Sequence, residues 1–214
     1  MKITTVASIL IIVLSFLASA YAYPLMQGQI ATHWNIYGEP NGYMPAAIGL
    51  FLLPIMSVIL LLFFLVIPII DPLKINYKAF GKYYDYFVLA MTGFLFYLNI
   101  LSIVFNLGYD FNISQALTPG FAVLIFILGS LTENAKPNWF VGIRTPWTLS
   151  SMGVWDKTHK LGGKLFKGSA IISLVGLLFP DISMFFTTIP LIASAFYLFV
   201  YSYLEFEKEK AGKK

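Results

Sequence analysis

Residues 46–70 read AAIGLFLLPIMSVILLLFFLVIPII, an uninterrupted apolar run. About 20 helical residues cross the hydrocarbon core of a bilayer, so this run is a transmembrane helix. Working outward from it, further spans are expected at about 3–23, 86–105, 119–131 (extended inward to Asn134), 165–179 and 184–204. The runs are continuous and do not alternate, which selects helices over a membrane β-barrel. The expected fold is therefore all-α. It is a polytopic bundle of six transmembrane helices, with a short interfacial helix in the loop between spans four and five.

Composition agrees. The chain has 214 residues, of which 58% are hydrophobic and 11% charged, and its mean hydropathy is +0.78. Soluble domains carry about 25% charged residues. There is no cysteine, which excludes disulfides, thiolate catalysis and zinc–thiolate sites. The net charge of +4 does not point to nucleic acid, because each basic residue has a topological place. Lys2 precedes span one, and Lys74, Lys78 and Lys82 lie between spans two and three. Lys136, Arg144, Lys157, Lys160, Lys164 and Lys167 lie between or just within spans four and five. Lys208, Lys210, Lys213 and Lys214 follow span six. All fall on one side, so the positive-inside rule makes both termini cytoplasmic in a multi-pass cell-membrane protein. Met1-Lys2, the first apolar run and Ala18-Ser19-Ala20 also fit a cleavable signal peptide, whose removal would not reorient the other spans.

Two regions follow. Residues 1–70 form a helix hairpin with an extracytoplasmic loop at 24–45, and residues 71–214 form a four-helix region with a cytoplasmic Trp-rich loop at 135–163. Within that loop, residues 137–163 read PNWFVGIRTPWTLSSMGVWDKTHKLGG, with the only arginine, Arg144, and one of two histidines, His159. Pro146 biases Thr145 out of the α region and predicts a turn. Ser150 or Ser151 then caps a short helix to about Leu161. On it Met152, Trp155 and His159 share a face, and Asp156 and Lys160 can pair. This helix is expected in the interface, with Trp147 and Trp155 at headgroup depth, and Gly162-Gly163 turning the chain into span five. Arg144 reads as an anion-binding fork or as a structural clamp onto Glu133, Asp71, Asp85, Asp156 or a lipid phosphate. The charges after span six read as a solvated helix extension with pairs Glu205/Lys208, Glu207/Lys210 and Glu209/Lys213.

The outer loop holds His33, Trp34, Asn35, Tyr37, Glu39, Asn41 and Tyr43, with turn signals at Glu39-Pro40 and Asn41-Gly42. Rigid aromatics beside polar groups suit recognition of a peptide or lipid, or an interfacial cap. His33 with Glu39, or Asp156 with His159, would supply two ligands of a metal site, and neither pair has a third, so no metal or other cofactor is expected. No ionisable residue sits near the middle of any span, which counts against a pump. Asn99 is the main central polar residue, suited to interhelical hydrogen bonding. Pro54, Pro68 and Pro190 are candidate kinks. No phosphate loop, serine triad or His-Glu-x-x-His is present, and no catalytic residue is assigned.

The 137–149 segment, Val154-Trp155-Asp156-Lys157-Thr158-His159 and Gly162-Gly163 together resemble the signature of the SdpI family. The outer blocks Gln29–Asn35 and Gly38–Gly42 resemble the small domain of unknown function that accompanies it, and Asp71–Tyr77 resembles a third family element. The resemblance implies immunity to a secreted peptide toxin, with a peptide or hydrophobic agent bound outside. It also implies signalling through a cytoplasmic regulator protein held at the membrane. The expected binding residues are His33, Trp34 and Glu39 outside, and Arg144, Trp147, Trp155, Asp156 and His159 inside. Two departures stand out: Met44-Pro45 replaces a common lysine, and Gly129-Ser130 stands where relatives often carry asparagine. Other readings are a membrane enzyme acting on lipid or peptide at the cytoplasmic interface, with Arg144 holding an anionic headgroup and Asp156/His159 as acid and base, or a small-molecule transporter.

Overall fold

The computed structural model describes residues 2–26 and 28–212. Six of its helices are long and apolar enough to cross a membrane. In chain order the elements are α1 (Ile3–Ala22), β1 (Gln29–Trp34), β2 (Pro40–Pro45), α2 (Ala46–Ile70), α3 (Tyr77–Asn106), α4 (Ile113–Asn134), α5 (Pro146–Ser150), α6 (Met152–Val175) and α7 (Ser183–Ala211). Helices α1, α2 and α3 pack together, as do α4, α6 and α7, and α3 against α4 joins the two groups. Pro54 and Pro68 lie inside an uninterrupted α2, and Pro190 inside α7.

The links gather at two ends. At the basic end, Lys2 pairs with Asp85 at 2.8 Å and the Asn76 amide donates to the Pro137 carbonyl at 2.6 Å. At the hairpin end, the Asn112 amide donates to the carbonyls of Tyr37 (3.2 Å) and Pro180 (3.4 Å). Gln115 Nε2 donates to the Leu177 carbonyl there.

Helix α3 begins well before the expected Tyr86, because its first turns are amphipathic. Tyr77, Phe80, Tyr84 and Val88 recur every three or four residues and are buried against α1, α2 and Leu131 of α4. A second correction concerns Gly162-Gly163. They are no hinge: α6 runs straight through them, and the short separate helix is α5. The glycines instead let two helices touch. A Cβ on Gly163 would stand 2.8 Å from the Gly129 carbonyl oxygen, and one on Gly129 would stand 2.9 Å from that of Gly163. Small residues permit this approach where lipid supplies no hydrophobic drive between helices. Gly129, which precedes the departing Ser130, is thus used for packing. Hydroxyl pairs Ser169–Ser194 (3.2 Å) and Ser173–Thr187 (2.5 Å) then join α6 to α7.

The loop between α1 and α2 folds as an antiparallel hairpin, where the sequence predicts only a loop with turns. Its turn is 35–39, not Asn41-Gly42, which lies in β2. Asn35 Oδ1 accepts from the N–H groups of Tyr37 and Glu39, both at 3.0 Å. Gly38 closes the turn at φ 87°, a left-handed conformation that favours glycine. The outward edge of β1 is covered by Asn106 of α3, whose amide donates to the Ala31 carbonyl (2.9 Å) and accepts from its N–H (2.7 Å). Prolines bound β2 at both ends and lack a backbone donor. Neither edge is a free template for a further strand.

Candidate functional site

At the basic end the Trp-rich loop is built around Asn138, which is 1% exposed. Its Oδ1 accepts from the Phe140 and Val141 N–H groups, and its Nδ2 donates to the Lys136 and Val141 carbonyls at 2.8 Å. The loop then turns at Gly142, at φ 109°. A Cβ there would collide with His159 Nε2, so the position has no room for another residue. The Ile143 N–H donates to that same Nε2 at 3.0 Å. Because Nε2 accepts, the ring proton sits on Nδ1, which donates to the Trp155 carbonyl at 2.9 Å. His159 is thus a neutral, fully engaged imidazole, stacked on Trp155 at 3.9 Å between ring centroids.

Trp155 is wholly buried, and its indole Nε1 donates to the Ala135 carbonyl at 2.9 Å. This corrects the headgroup placement. Met152 does not share that face; it is 73% exposed. Trp147 is partly exposed and packs on Phe199 and Tyr203 of α7, 5.1 Å from each ring. Thr145 caps α5 in a reciprocal box with Thr148 and meets the Ser202 hydroxyl at 3.0 Å.

Among the described residues Arg144 pairs with no carboxylate. It is exposed and donates from Nη1 to the Trp139 carbonyl. The four carboxylates named for it are engaged elsewhere. Glu133 pairs with Lys167, Asp85 with Lys2, and Asp156 with Lys136 at 3.6 Å rather than with Lys160. Asp71, 1% exposed, accepts from the N–H groups of Leu73 (2.7 Å) and Trp139 (3.0 Å) and from the Tyr77 hydroxyl (3.2 Å). Asp156 and His159 are not brought together: one faces solvent, and the other is packed beneath Gly142. The acid–base pair that the enzyme reading needs is therefore absent from this arrangement.

The helix extension is also more than a solvated face. Glu205 is 6% exposed and accepts from Lys157 of α6 and Lys208 of α7, both at 2.8 Å. Lys210 pairs with Glu207, while Lys213, the expected partner of Glu209, lies outside the described residues. Glu209 accepts from the Ser151 hydroxyl at 2.5 Å.

At the hairpin end, β1 roofs a cleft of about 390 Å³ between α2, α3, α4 and the start of α7. His33, Trp34 and Asn35 line it with Ser102 and Ser114, against apolar walls such as Leu52 and Leu117. Trp34 sits edge-on to Phe105 at 5.3 Å, and its indole N–H is buried with no hydrogen-bond partner among the described residues. Glu39 is not in the cleft; it accepts from the Asn35 amide at 2.8 Å in the turn. His33 Nδ1 faces Asn41 Oδ1 at 2.5 Å, so the two candidate metal ligands are engaged separately. Among the described residues, no cluster of three ligating side chains forms. In mid-bundle, Asn99 donates to Ser15 (carbonyl 3.2 Å, hydroxyl 3.0 Å) and the Ser19 hydroxyl (3.1 Å), joining α3 to α1.

Asp71, Asn138 and Gly142 at the basic end, and Asn35, Asn106 and Asn112 at the hairpin end, are organising residues that the sequence does not mark as such. The signals available were Asn138 after a proline and Gly142 before an isoleucine. Neither separates these positions from other turn residues.

Comparison with known proteins gives two family segments. Residues 134–202 match the SdpI/YfhL protein family, and residues 10–58 match a domain of unknown function (DUF1648). The Asp71–Tyr77 block falls outside both. Over 183 residues the chain is 28% identical to the immunity protein SdpI of Bacillus subtilis (strain 168), covering 84% of this chain and 81% of that protein. No solved structure matches. The resemblance read from the motif blocks is borne out: this is a multi-pass membrane protein similar to the SdpI immunity protein, with an SdpI/YfhL segment over 134–202 and the accompanying domain over 10–58.

Proposed function

We propose that this chain is an immunity-type membrane protein that binds an external peptide or hydrophobic agent at its hairpin end. It passes that state to a cytoplasmic regulator protein at its basic end. The observation that carries the first part is the cleft under β1, where a rigid indole holds a buried, unpartnered donor beside apolar walls. An unmet buried donor costs about 1–3 kcal/mol, which an acceptor on a bound ligand would recover. The similarity to a protein named for immunity supports the same reading. The regulator reading rests on the internally hydrogen-bonded Trp-rich loop, which presents Trp139 (51% exposed) and Met152 (73%) at the basic end.

The test is expression in a host sensitive to the peptide toxin of strains that carry SdpI-type immunity. Wild-type chain should protect at least ten-fold. Trp34→Phe keeps the ring and loses the N–H, and should lose about 1–2 kcal/mol of binding, or roughly 5–30-fold. Unchanged killing at equal membrane levels of the wild-type chain would reject the immunity reading.

Orientation follows from charge. The basic residues collect at one end, which we assign to the cytoplasm by the positive-inside rule. Cysteines placed at Tyr37 (54% exposed) and Met152 (73% exposed) should then label from opposite sides of intact cells. Labelling of Met152→Cys from outside would reverse the assignment.

A further inference from the structure

The main helix contact between the two groups is α3 against α4, and on one flank it leaves a groove of about 660 Å³ open to the side. On α3 its floor is Tyr86, Ala90, Gly93 and Tyr97, a single helical stripe in which the middle residues are small. On α4 the facing wall is Val123 and Ile127, with Val123 59% exposed. A Cβ added at Gly93 would meet nothing within 4 Å.

The two ends of this groove differ. At the hairpin end the Tyr97 hydroxyl is spent on the Ala116 carbonyl at 2.6 Å, which closes the groove without a free polar group. At the basic end it is flanked by one cation from α3 and one from α6, each over a ring of the lining. Lys82 Nζ stands 4.8 Å from the Tyr83 ring, and Lys167 Nζ stands 5.9 Å from the Phe126 ring, both rings being part of the lining. Lys167 also holds Glu133, whereas Lys82 has no carboxylate partner among the described residues. From Tyr83 to Tyr97 the helix rises about 21 Å, somewhat more than one leaflet's ~15 Å share of the hydrocarbon core. An apolar slot of one-leaflet length, blind at one end and cationic at the other, has the chemistry of one amphiphile with an anionic head.

We propose that the α3–α4 groove is a binding site for one acyl chain of an anionic phospholipid, with its phosphate held at Lys82 and Lys167. The lipid then lies against both helix groups along their α3–α4 junction. This site is separate from the cleft under the hairpin and does not depend on the immunity reading.

The experiment uses the full chain purified in detergent, titrated with phosphatidylglycerol or with phosphatidylcholine of the same chains. Native mass spectrometry and the thermal midpoint are the readouts. One phosphatidylglycerol per chain should be retained, at least five-fold tighter than phosphatidylcholine. Lys82→Ala should reduce that preference about five-fold, the worth of one lysine at a charged lipid surface. Gly93→Leu fills the slot without a backbone clash and should abolish retention of either lipid at an unchanged midpoint in detergent alone. Gly168→Leu, whose added Cβ also meets nothing within 4 Å and which does not line the groove, should retain the lipid. Equal affinity for the two lipids would overturn the site, leaving annular solvation only. So would retention in Gly93→Leu, or a cross-linked second copy of the chain seated against Ala90 and Gly93.

Discussion

Trp155→Ala is expected to destabilise the protein by about 3–5 kcal/mol, the range for emptying a buried aromatic site. The ring is wholly buried under the Trp-rich loop, so its removal leaves a cavity rather than a surface dent. It also removes the stacking partner of His159 and the donor to the Ala135 carbonyl. His159 in turn holds the Ile143 N–H, so the loss reaches the turn at Gly142. Trp155→Phe separates the contributions. It keeps most of the ring contact and leaves the Ala135 carbonyl, itself on a 3% exposed residue, without its donor, at about 1–3 kcal/mol. Helix content against temperature in detergent is the measurement, because it does not rely on the deleted fluorophore. A loss under ~1 kcal/mol for Trp155→Ala would return the residue to the headgroup region, where a tryptophan anchors without filling a core.

That contrast shows what a single sequence makes legible here. The span at Ala46–Ile70 is found at its expected bounds, because hydropathy alone decides where a helix is stable in lipid. The start of α3 is not found that way, because Lys78 and Lys82 face outward while Tyr77, Phe80 and Tyr84 face the core. Glycines carry no local sign of their use. Gly162-Gly163 read as a hinge, yet Gly163 makes room for α4, some thirty residues earlier in the chain, and Gly162 for Ile143 and Leu198. Arg144 read as a clamp on a carboxylate because charge invites charge, yet it reaches a backbone carbonyl five residues away. The hairpin was hidden for a related reason: its edge partner is a side chain, Asn106, 75 residues from Ala31. The composition of the candidate sites was legible. Their geometry depends on long-range contacts of asparagines and one aspartate that no local pattern marks.

Asp71 is where the second large effect is expected. It ends α2, is 1% exposed, and receives donors from three places: Leu73 in its own turn, Tyr77 at the start of α3, and Trp139 in the Trp-rich loop. One carboxylate therefore ties the first helix group to the loop that follows α4. Hydrogen bonds to a charged group contribute about 1.5–3 kcal/mol each, and two of these donors are backbone N–H groups that no rotation can redirect. Asp71→Ala should cost about 3–5 kcal/mol. Asp71→Asn keeps one acceptor oxygen and should recover about half, since its neutral oxygen binds less strongly than a carboxylate. Tyr77→Phe removes the longest of the three bonds, and Arg144→Ala removes one exposed bond to the same Trp139 peptide segment. Each should cost about 0.5–1.5 kcal/mol. Measured together by thermal unfolding in detergent, the order Asp71→Ala, then Asp71→Asn, then the two single-bond variants identifies the carboxylate as the structural hub of the basic end. If Arg144→Ala cost as much as Asp71→Ala, the arginine would carry the loop instead, and the hub would have to be sought in the Trp139 carbonyl.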